Sequence, residues 1–329
     1  MTTSIPVAYL LHSNQVYPLM GTHRWTLGRS DRSAIVLSDA WVSRLHAMVQ
    51  RNDRGEYRLI DLGSRNGSHL NGRRINLPTL LQDGDEIALG ETQLIFRHQL
   101  RDSAEPDRPM EDWAETETAV QRIRCPVSVL VVDILDHRQV AAHLEPDLLC
   151  QVVGTWFRQM GEILQRFGCQ EEDYRGDSIQ GIWVHSTQGP QAKGLLRMLR
   201  AIAAADRVTA NLFYQYPLPS PLQIKVGLHT DYALVGYEGQ GDRPDYTSLE
   251  PAARVARDLE HACRGRPEDL LAGSLTYSYL DSHLPNHGFI PLTLSLPDAT
   301  VPTQVAGTTF RHLREVLHLQ SFTEPPTSR

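Results

Sequence analysis

The fold of the first hundred residues is decided by five groups that occur in a fixed order: Leu27-Gly28-Arg29, Ser43-Arg44-Leu45-His46-Ala47, Asp61-Leu62-Gly63-Ser64-Arg65-Asn66-Gly67, Leu70-Asn71-Gly72 and Gly84-Asp85. Short apolar runs separate these groups, for example residues 57–60 and 94–96. Runs of this kind, bounded by Gly, Asn and Asp turns, are typical of the strands of an all-β sandwich. We therefore expect a β-sandwich here, in which Gly67 and Gly72 allow tight turns with positive φ.

The ordered spacing of the five groups resembles the forkhead-associated (FHA) domain, a phosphothreonine-binding module. The resemblance implies that five residues surround a bound phosphopeptide: Arg29, Ser43, Arg44, Arg65 and Asn66. By motif position, Arg29 and Ser43 hold the phosphate, Asn66 holds the peptide backbone, and His46 supports the loop from beneath.

The chemistry of these residue types agrees with that resemblance. A phosphothreonine carries close to two negative charges and three acceptor oxygens. Planar cations and fixed neutral donors on the loops of a rigid sandwich suit such a ligand. With Arg44 and Arg65 beside Arg29, three guanidinium groups are expected at one site. The alternative interpretation is that these arginines are only solvated surface residues.

Composition limits what else the chain can be. It has 329 residues, 41% of them hydrophobic, and a formal net charge of −7. That length predicts two domains, and the acidic balance argues against broad binding to nucleic acid or anionic membranes. The start has no basic region followed by an apolar run, no segment reaches membrane-spanning length, and the four cysteines are isolated. We therefore expect a cytoplasmic protein with reduced thiols.

Four segments are expected: a phosphothreonine-binding domain over 1–98, an acidic linker over 99–124, a second domain over 125–320 and a tail over 321–329. The linker is acidic, contains prolines and lacks apolar periodicity. Thr116 and Thr118 stand among glutamates near its end. They are either part of a solvated hinge or a phosphoacceptor segment that the first domain binds, in the same chain or between chains.

The second domain shows alternating strand and helix patterns. Residues 127–134 form a mostly apolar run, with Asp133 next to its end, and this pattern is typical of a buried strand. Residues 149–167 carry apolar side chains at helical spacing, and a hairpin turn is expected at Arg175-Gly176-Asp177. A further helix is expected over 192–213, then a strand over 223–229, a second hairpin to Gly236 and a helix from about 251 to 263. This order predicts a β-α-β-β-α-β, ferredoxin-like (split βαβ) α+β domain.

Two aspartates meet in that arrangement. Asp133 ends the first strand, and Asp177 lies at the hairpin turn beside it. Paired carboxylates of this kind suit Mg²⁺ or Mn²⁺ with a triphosphate completing the coordination. The alternative is that both are ordinary turn residues.

These aspartates, the segments around residues 226–230 and 245–260, and the closing helix and strand resemble the catalytic domain of class III adenylate and guanylate cyclases. The resemblance implies a site between two subunits, with Asp133 and Asp177 as metal ligands. It places Asp173 at the base-selecting position and Thr247 at the second base contact. It places Arg254 and Asp258 where the family carries the asparagine and arginine that stabilise the transition state.

The departures from the family's pattern affect the expected activity. At Asp258 a carboxylate stands where the family has a cation that stabilises the negative charge developing on the phosphate. Loss of such a group raises the activation free energy by about 3–4 kcal/mol. The phosphate-cradling turn also departs, because it reads Asp136-His137-Arg138. Three hypotheses follow: a degenerate cyclase-like domain used for dimerisation or nucleotide sensing, the metal-bearing half of a heterodimer, or an active homodimeric cyclase with unusual groups.

Overall fold

The computed structural model describes residues 8–52, 54–98, 123–237, 244–245, 249–297 and 302–321. The chain divides into two compact units, the first comprising residues 1–122 with 236–245, and the second residues 123–235 with 246–329. Thr116, Thr118 and Thr247 lie outside the described residues. No helix in the described ranges has the length and apolar character needed to cross a lipid bilayer.

Eleven short strands lie within residues 8–98, the part of the N-terminal region that the structure describes. They are β1 (Ala8–His12), β2 (Gln15–Pro18), β3 (Arg24–Gly28), β4 (Ile35–Val36), β5 (Ala47–Arg51), β6 (Tyr57–Asp61), β7 (Ser68–Leu70), β8 (Arg73–Arg74), β9 (Thr79–Leu80), β10 (Glu86–Leu89) and β11 (Thr92–His98). One sheet has the order β2-β1-β11-β10-β7-β8, and the other has the order β4-β3-β5-β6-β9.

The two sheets share one apolar core. Leu10, Leu27, Leu59, Ile87 and Phe96 are each fully buried, and they come from strands of both sheets. Their burial follows the period-two pattern, because alternate side chains of a strand point to opposite faces. The predicted all-β sandwich is confirmed.

The described residues from 123 onward contain six helices and eight strands. They are β12 (Ile123–Ile134), α1 (His137–His143), α2 (Pro146–Arg166), β13 (Glu171–Arg175), β14 (Ser178–Val184), α3 (Ala192–Gln215), β15 (Ile224–Tyr237), β16 (Pro244–Asp245), α4 (Glu250–Ala262), β17 (Leu270–Gly273), α5 (Ser274–His283), β18 (Ile290–Leu294), β19 (Thr303–Thr308) and α6 (Phe310–Ser321). Of these, β16 and the last two residues of β15 fall in the first unit, and all the others fall in the second.

The sheet of this unit has the order β13-β14-β12-β15-β17-β19-β18, with β16 paired to β15. Its first four strands and the helices between them follow the split βαβ arrangement, with β12 flanked by β14 and β15, both antiparallel. Strand β17 then adds to β15 in parallel. The predicted α+β class is confirmed, and the β13–β14 hairpin turns where the sequence predicted.

Two details differ from the expectation. The second hairpin between His229 and Gly236 is wrong, because β15 continues as one strand through these positions. Its residues pair with β12 from Ile224↔Ile134 to Val235↔Ile123, and this unbroken ladder leaves no room for a turn. The same ladder starts β12 at Ile123, so the last two residues of the expected linker segment are strand residues.

Helix α4 packs on the sheet through small residues. Ala252, Ala253 and Ala256 form a buried cluster with two valines of β12. At Gly227 of β15, an added Cβ would lie 1.9 Å from the carbonyl oxygen of Ala256 and 2.5 Å from the amide nitrogen of Glu260. The helix backbone therefore lies directly against the strand, and this contact sets the height of α4 above the sheet.

We expect Gly227→Ala to destabilise the protein by ~1–3 kcal/mol, because the new methyl group meets rigid helix backbone rather than a movable side chain. Chemical denaturation followed by circular dichroism measures the change. Gly194→Ala in α3 is the matched control, since the nearest atom to its added Cβ is 3.9 Å away. The control variant should be neutral or slightly more stable. Equal stability of the two variants would contradict the close contact.

Candidate functional site

The loops of the sandwich converge on Ser43. The amide of Arg29 donates to the carbonyl oxygen of Ser43 at 2.9 Å, and the amide of Arg65 donates to the Ser43 hydroxyl at 3.0 Å. Three loops, each following a different strand, are thereby joined at one residue. The sequence placed these three residues in one site, and the structure brings them together.

His46 lies under this junction and is fully buried. Its Nδ1 accepts the amide hydrogen of Ser43 at 3.0 Å, and its Nε2 lies 3.1 Å from the carbonyl oxygen of Gly67. One ring nitrogen therefore accepts and the other donates, which is the bonding pattern of a neutral imidazole. Burial lowers the pKa of His46 and favours the same neutral form. His46 supports the loops from beneath, as the sequence predicted.

Asn66 bonds to the loop opposite it. Its Nδ2 donates to the carbonyl oxygen of Trp41 at 2.6 Å. Trp41 is in turn held by Asp39, whose carboxylate accepts the amides of Trp41 and Glu91, each at 2.8 Å. These amide bonds are the main reason that the pKa of Asp39 is lowered. The indole of Trp41 is nevertheless exposed, a feature that the sequence analysis did not single out.

A buried carboxylate shapes the third loop. Asp61 accepts the amides of Gly63 and Ser64 at 2.9 and 2.8 Å, and the hydroxyls of Ser64 and Ser68 both at 2.6 Å. Four donors on one carboxylate fix the turn that presents Arg65. Arg29, Arg44 and Arg65 are all exposed on the loops so fixed. The result is a set of positive side chains on a rigid backbone, accessible from solvent.

The α+β unit carries a second polar cluster, centred on Asp133. This residue is 5% exposed and lies at the end of β12, opposite Ser178, which follows Asp177. Its Oδ2 accepts from Nη2 of Arg264 at 2.6 Å, whereas its Oδ1 is buried and has no hydrogen-bond partner. The Asp177 carboxylate lies 3.8 Å from Nδ1 of the buried His137. The strand pairing expected from the sequence places Asp133 beside the turn that carries Asp177, and the structure has the same pairing.

The electrostatics of this cluster show an excess of negative charge. Burial, followed by the charges of Glu260 and Asp177, raises the pKa of Asp133 to about 8, although Arg264 acts in the opposite direction. Burial also raises the pKa of Glu260. One guanidinium therefore does not compensate three carboxylates that lie close together.

These properties fit a divalent cation bound to Asp133 and Asp177. The unpartnered Oδ1 and the uncompensated charge are what a hard cation would satisfy. In the described ranges, no group of three or more His, Cys, Asp or Glu side chains is arranged as a complete metal centre. A cation here would complete its coordination with ligands from outside the protein, either water or phosphate oxygens.

The cyclase resemblance also names Asp173, Arg254 and Asp258, which lie on β13 and α4. Asp173 lies in the middle of β13 and its carboxylate accepts from Nε of Arg175. Arg254 and Asp258 lie on α4, where Arg254 is exposed and Asp258 half-buried. In the turn before α1, Asp136 has a left-handed backbone, and it is exposed like Arg138.

Glu260 and Arg264 are the members of the cluster that sequence reasoning missed. Their spacing, glutamate followed by arginine four residues later at the end of a predicted helix, indicated an ion pair with each other. Nothing local indicated that Arg264 also reaches Asp133, 131 positions earlier in the chain.

Comparison with known proteins identifies the first unit. Residues 25–90 match the family model of the FHA domain. Among curated relatives, the oxoglutarate dehydrogenase inhibitor of Corynebacterium efficiens is 44% identical over 71 residues, which are 22% of this chain and 49% of the relative. The glycogen accumulation regulator GarA of Mycolicibacterium smegmatis is 39% identical over 69 residues, which are 21% of this chain and 42% of the relative. The chain thus spans about half the length of these relatives or less.

Among solved structures, the adenylyl cyclase CyaB from P. aeruginosa is 21% identical, with a TM-score of 0.47, over 57% of this chain and 95% of that one. Residues 25–90, with their loops joined at Ser43 over a buried His46, form an FHA domain.

Proposed function

We propose that this protein recognises a phosphothreonine-containing protein through its FHA domain. The observation that carries the proposal is the junction at Ser43, where three loops are joined by hydrogen bonds and present exposed guanidinium groups. FHA domains bind phosphothreonine. Arg29, Ser43 and Asn66 stand at positions that the motif assigns to that ligand, while Arg44 and Arg65 occupy positions often filled by smaller polar groups.

The roles of the individual residues follow from their surroundings. Arg29 is exposed, and its Nε makes only a long bond of 3.4 Å to the carbonyl oxygen of Val42, so most of its donor capacity is available to an anion. The Ser43 hydroxyl oxygen accepts the backbone amide hydrogen of Arg65. The hydroxyl hydrogen of Ser43 therefore remains available to a phosphate oxygen. Asn66, already bonded across the gap between two loops, is placed to contact the peptide backbone. Arg44 and Arg65 add positive charge around the phosphate.

The phosphorylated partner of the FHA domain is also proposed here. Two relatives are named as an inhibitor and a regulator, and a regulatory role is therefore proposed for this domain. Thr116 and Thr118, which lie among glutamates in the same chain, remain candidate phosphoacceptors. A phosphoprotein from elsewhere is the alternative.

We expect Arg29→Ala to weaken binding of a phosphothreonine peptide by ~1.5–3 kcal/mol, because it removes charge-assisted hydrogen bonds to the phosphate. Calorimetric titration with a phosphopeptide that spans residues 112–122, phosphorylated at Thr118, and with peptides selected from an array, measures the loss.

Arg97→Ala is the charge-matched control, since Arg97 lies on β11 and pairs with Asp83 at 3.6 Å. The control should bind as the wild type does. Equal affinity of Arg29→Ala and Arg97→Ala, or an array without preference for phosphothreonine over threonine, would contradict the proposal.

We further propose that the α+β unit binds a divalent cation with a nucleoside triphosphate but turns it over poorly, as a degenerate cyclase-like domain. The orphaned Oδ1 of Asp133 favours cation binding. Asp133 and Asp177 would hold Mg²⁺ or Mn²⁺, and the bound cation would supply positive charge to the phosphates. The chain itself offers a carboxylate at Asp258, where the family carries a cation. The heterodimer, in which a partner supplies the missing groups, is the alternative.

We expect little or no cyclic AMP or cyclic GMP from the purified protein with Mn²⁺, because the groups that stabilise the transition state are absent. Chromatography of the products measures turnover. A triphosphate with Mn²⁺ should nevertheless raise the melting temperature by mass action, and Asp177→Asn should reduce that shift. Robust cyclic nucleotide formation by the protein alone would overturn the degenerate interpretation.

We also expect the α+β unit to associate, because the proposed family builds its site between subunits. Tyr232 and Leu234 of β15 are among its exposed large apolar side chains. Sedimentation of residues 120–329 over a range of concentrations tests this expectation. A monomer at all concentrations would contradict it.

A further inference from the structure

Arg264 makes a contact that neither the motif nor the helix spacing requires. Its Nη2 lies 2.6 Å from Oδ2 of Asp133, the buried carboxylate at the end of β12. The side chain of Arg264 is 36% exposed and that of Asp133 is 7% exposed. The positive group therefore reaches inward from the end of α4 and covers the carboxylate from the solvent side.

A second carboxylate holds the same guanidinium. Nε of Arg264 donates to Oε1 of Glu260 at 3.3 Å, one helical turn earlier, and the Glu260 side chain is 5% exposed. The two bonds use different nitrogens of one planar fork. Loss of the bond to Asp133 would therefore leave Arg264 attached to Glu260 rather than free in solvent.

The remaining side of the Asp133 carboxylate is not covered in this way. Oδ1 is buried without a hydrogen-bond partner, and Nε2 of the neighbouring His137 is also buried without one. A single guanidinium thus satisfies only one oxygen of the carboxylate, on the side that faces Glu260.

We propose that Arg264 is a built-in competitor of the divalent cation at Asp133: its guanidinium neutralises this carboxylate when no metal is bound, and must move onto Glu260 when a metal binds. This inference rests on the proposed metal site and assigns to it a residue that sets its affinity. A cation on the unpartnered Oδ1 would share one carboxylate with the guanidinium on Oδ2, and two positive charges at that separation repel. Metal binding is therefore opposed as long as Arg264 stays on Asp133.

The test is a titration of the full chain with Mn²⁺ alone, in which electron paramagnetic resonance measures the free ion. No nucleotide or turnover is needed. We expect Arg264→Gln to bind Mn²⁺ on the order of tenfold more tightly than the wild type, because the competitor of a buried carboxylate has been removed. Arg264→Lys, which keeps the positive charge, should remain closer to the wild type. Asp133→Asn should abolish Mn²⁺ binding both in the wild-type chain and in the Arg264→Gln variant.

Arg257→Gln is the matched control. It removes the same charge from within α4, but Arg257 pairs with Glu250 at 2.7 Å. It should leave Mn²⁺ affinity within about twofold of the wild type, because it leaves the Arg264–Asp133 bond in place. An equal gain in Arg257→Gln and Arg264→Gln would show a general charge effect and overturn the specific role of Arg264.

The other outcomes separate the inference from the function on which it rests. One outcome is that the wild type and Arg264→Gln bind Mn²⁺ equally well, with binding lost in Asp133→Asn. That result would overturn the competitor role of Arg264 and keep the metal site. Absence of binding in the wild type and in both Arg264 variants would remove the metal site together with the inference. If Arg264→Gln does not fold, Arg264→Met, which also removes the charge, takes its place. Tighter Mn²⁺ binding by Arg264→Met than by Arg257→Gln would support the proposal, and equal binding by those two variants would count against it.

Discussion

Burial of the Asp133 carboxylate is the constraint around which the α+β unit is arranged. Strand β12 is buried along its last ten residues, so the carboxylate that ends it is removed from water as well. A buried charge of this kind requires a partner. The partner comes from the end of α4, which is why the position of that helix on the sheet matters for the site. The contact of α4 with Gly227 fixes this position.

In the FHA domain, the charged groups proposed to bind ligand are exposed rather than buried. Its functional groups are cations that must remain in solvent, and what must be rigid is the backbone beneath them. The domain therefore buries the supporting groups, His46 and Asp61, and satisfies them with backbone amides and hydroxyls. The guanidinium groups stay exposed on loops whose paths are fixed. Binding an anion here requires little rearrangement of the backbone, which is favourable for affinity.

The two units consequently differ in how their charges are used. In the FHA domain, the side chains of Arg29, Arg44 and Arg65 are exposed on the loops. In the α+β unit, the guanidinium of Arg264 is paired with Asp133 and Glu260 of the same chain. The arginines of the phosphothreonine-binding loops and Arg264 therefore stand in opposite environments.

The sequence by itself determined the fold class of both units, most of the order of strands and helices in the second unit, and the loops that carry Arg29, Ser43 and Asn66. These features depend on local patterns, such as period-two burial and turn residues, which a single sequence displays. It also placed Asp133 beside Asp177, because a hairpin brings neighbouring strands together. Only the tertiary structure decided that β15 runs on without a hairpin and that Arg264 covers Asp133. Both depend on pairing between segments about 100 residues or more apart, and no local pattern records which distant partner a residue meets.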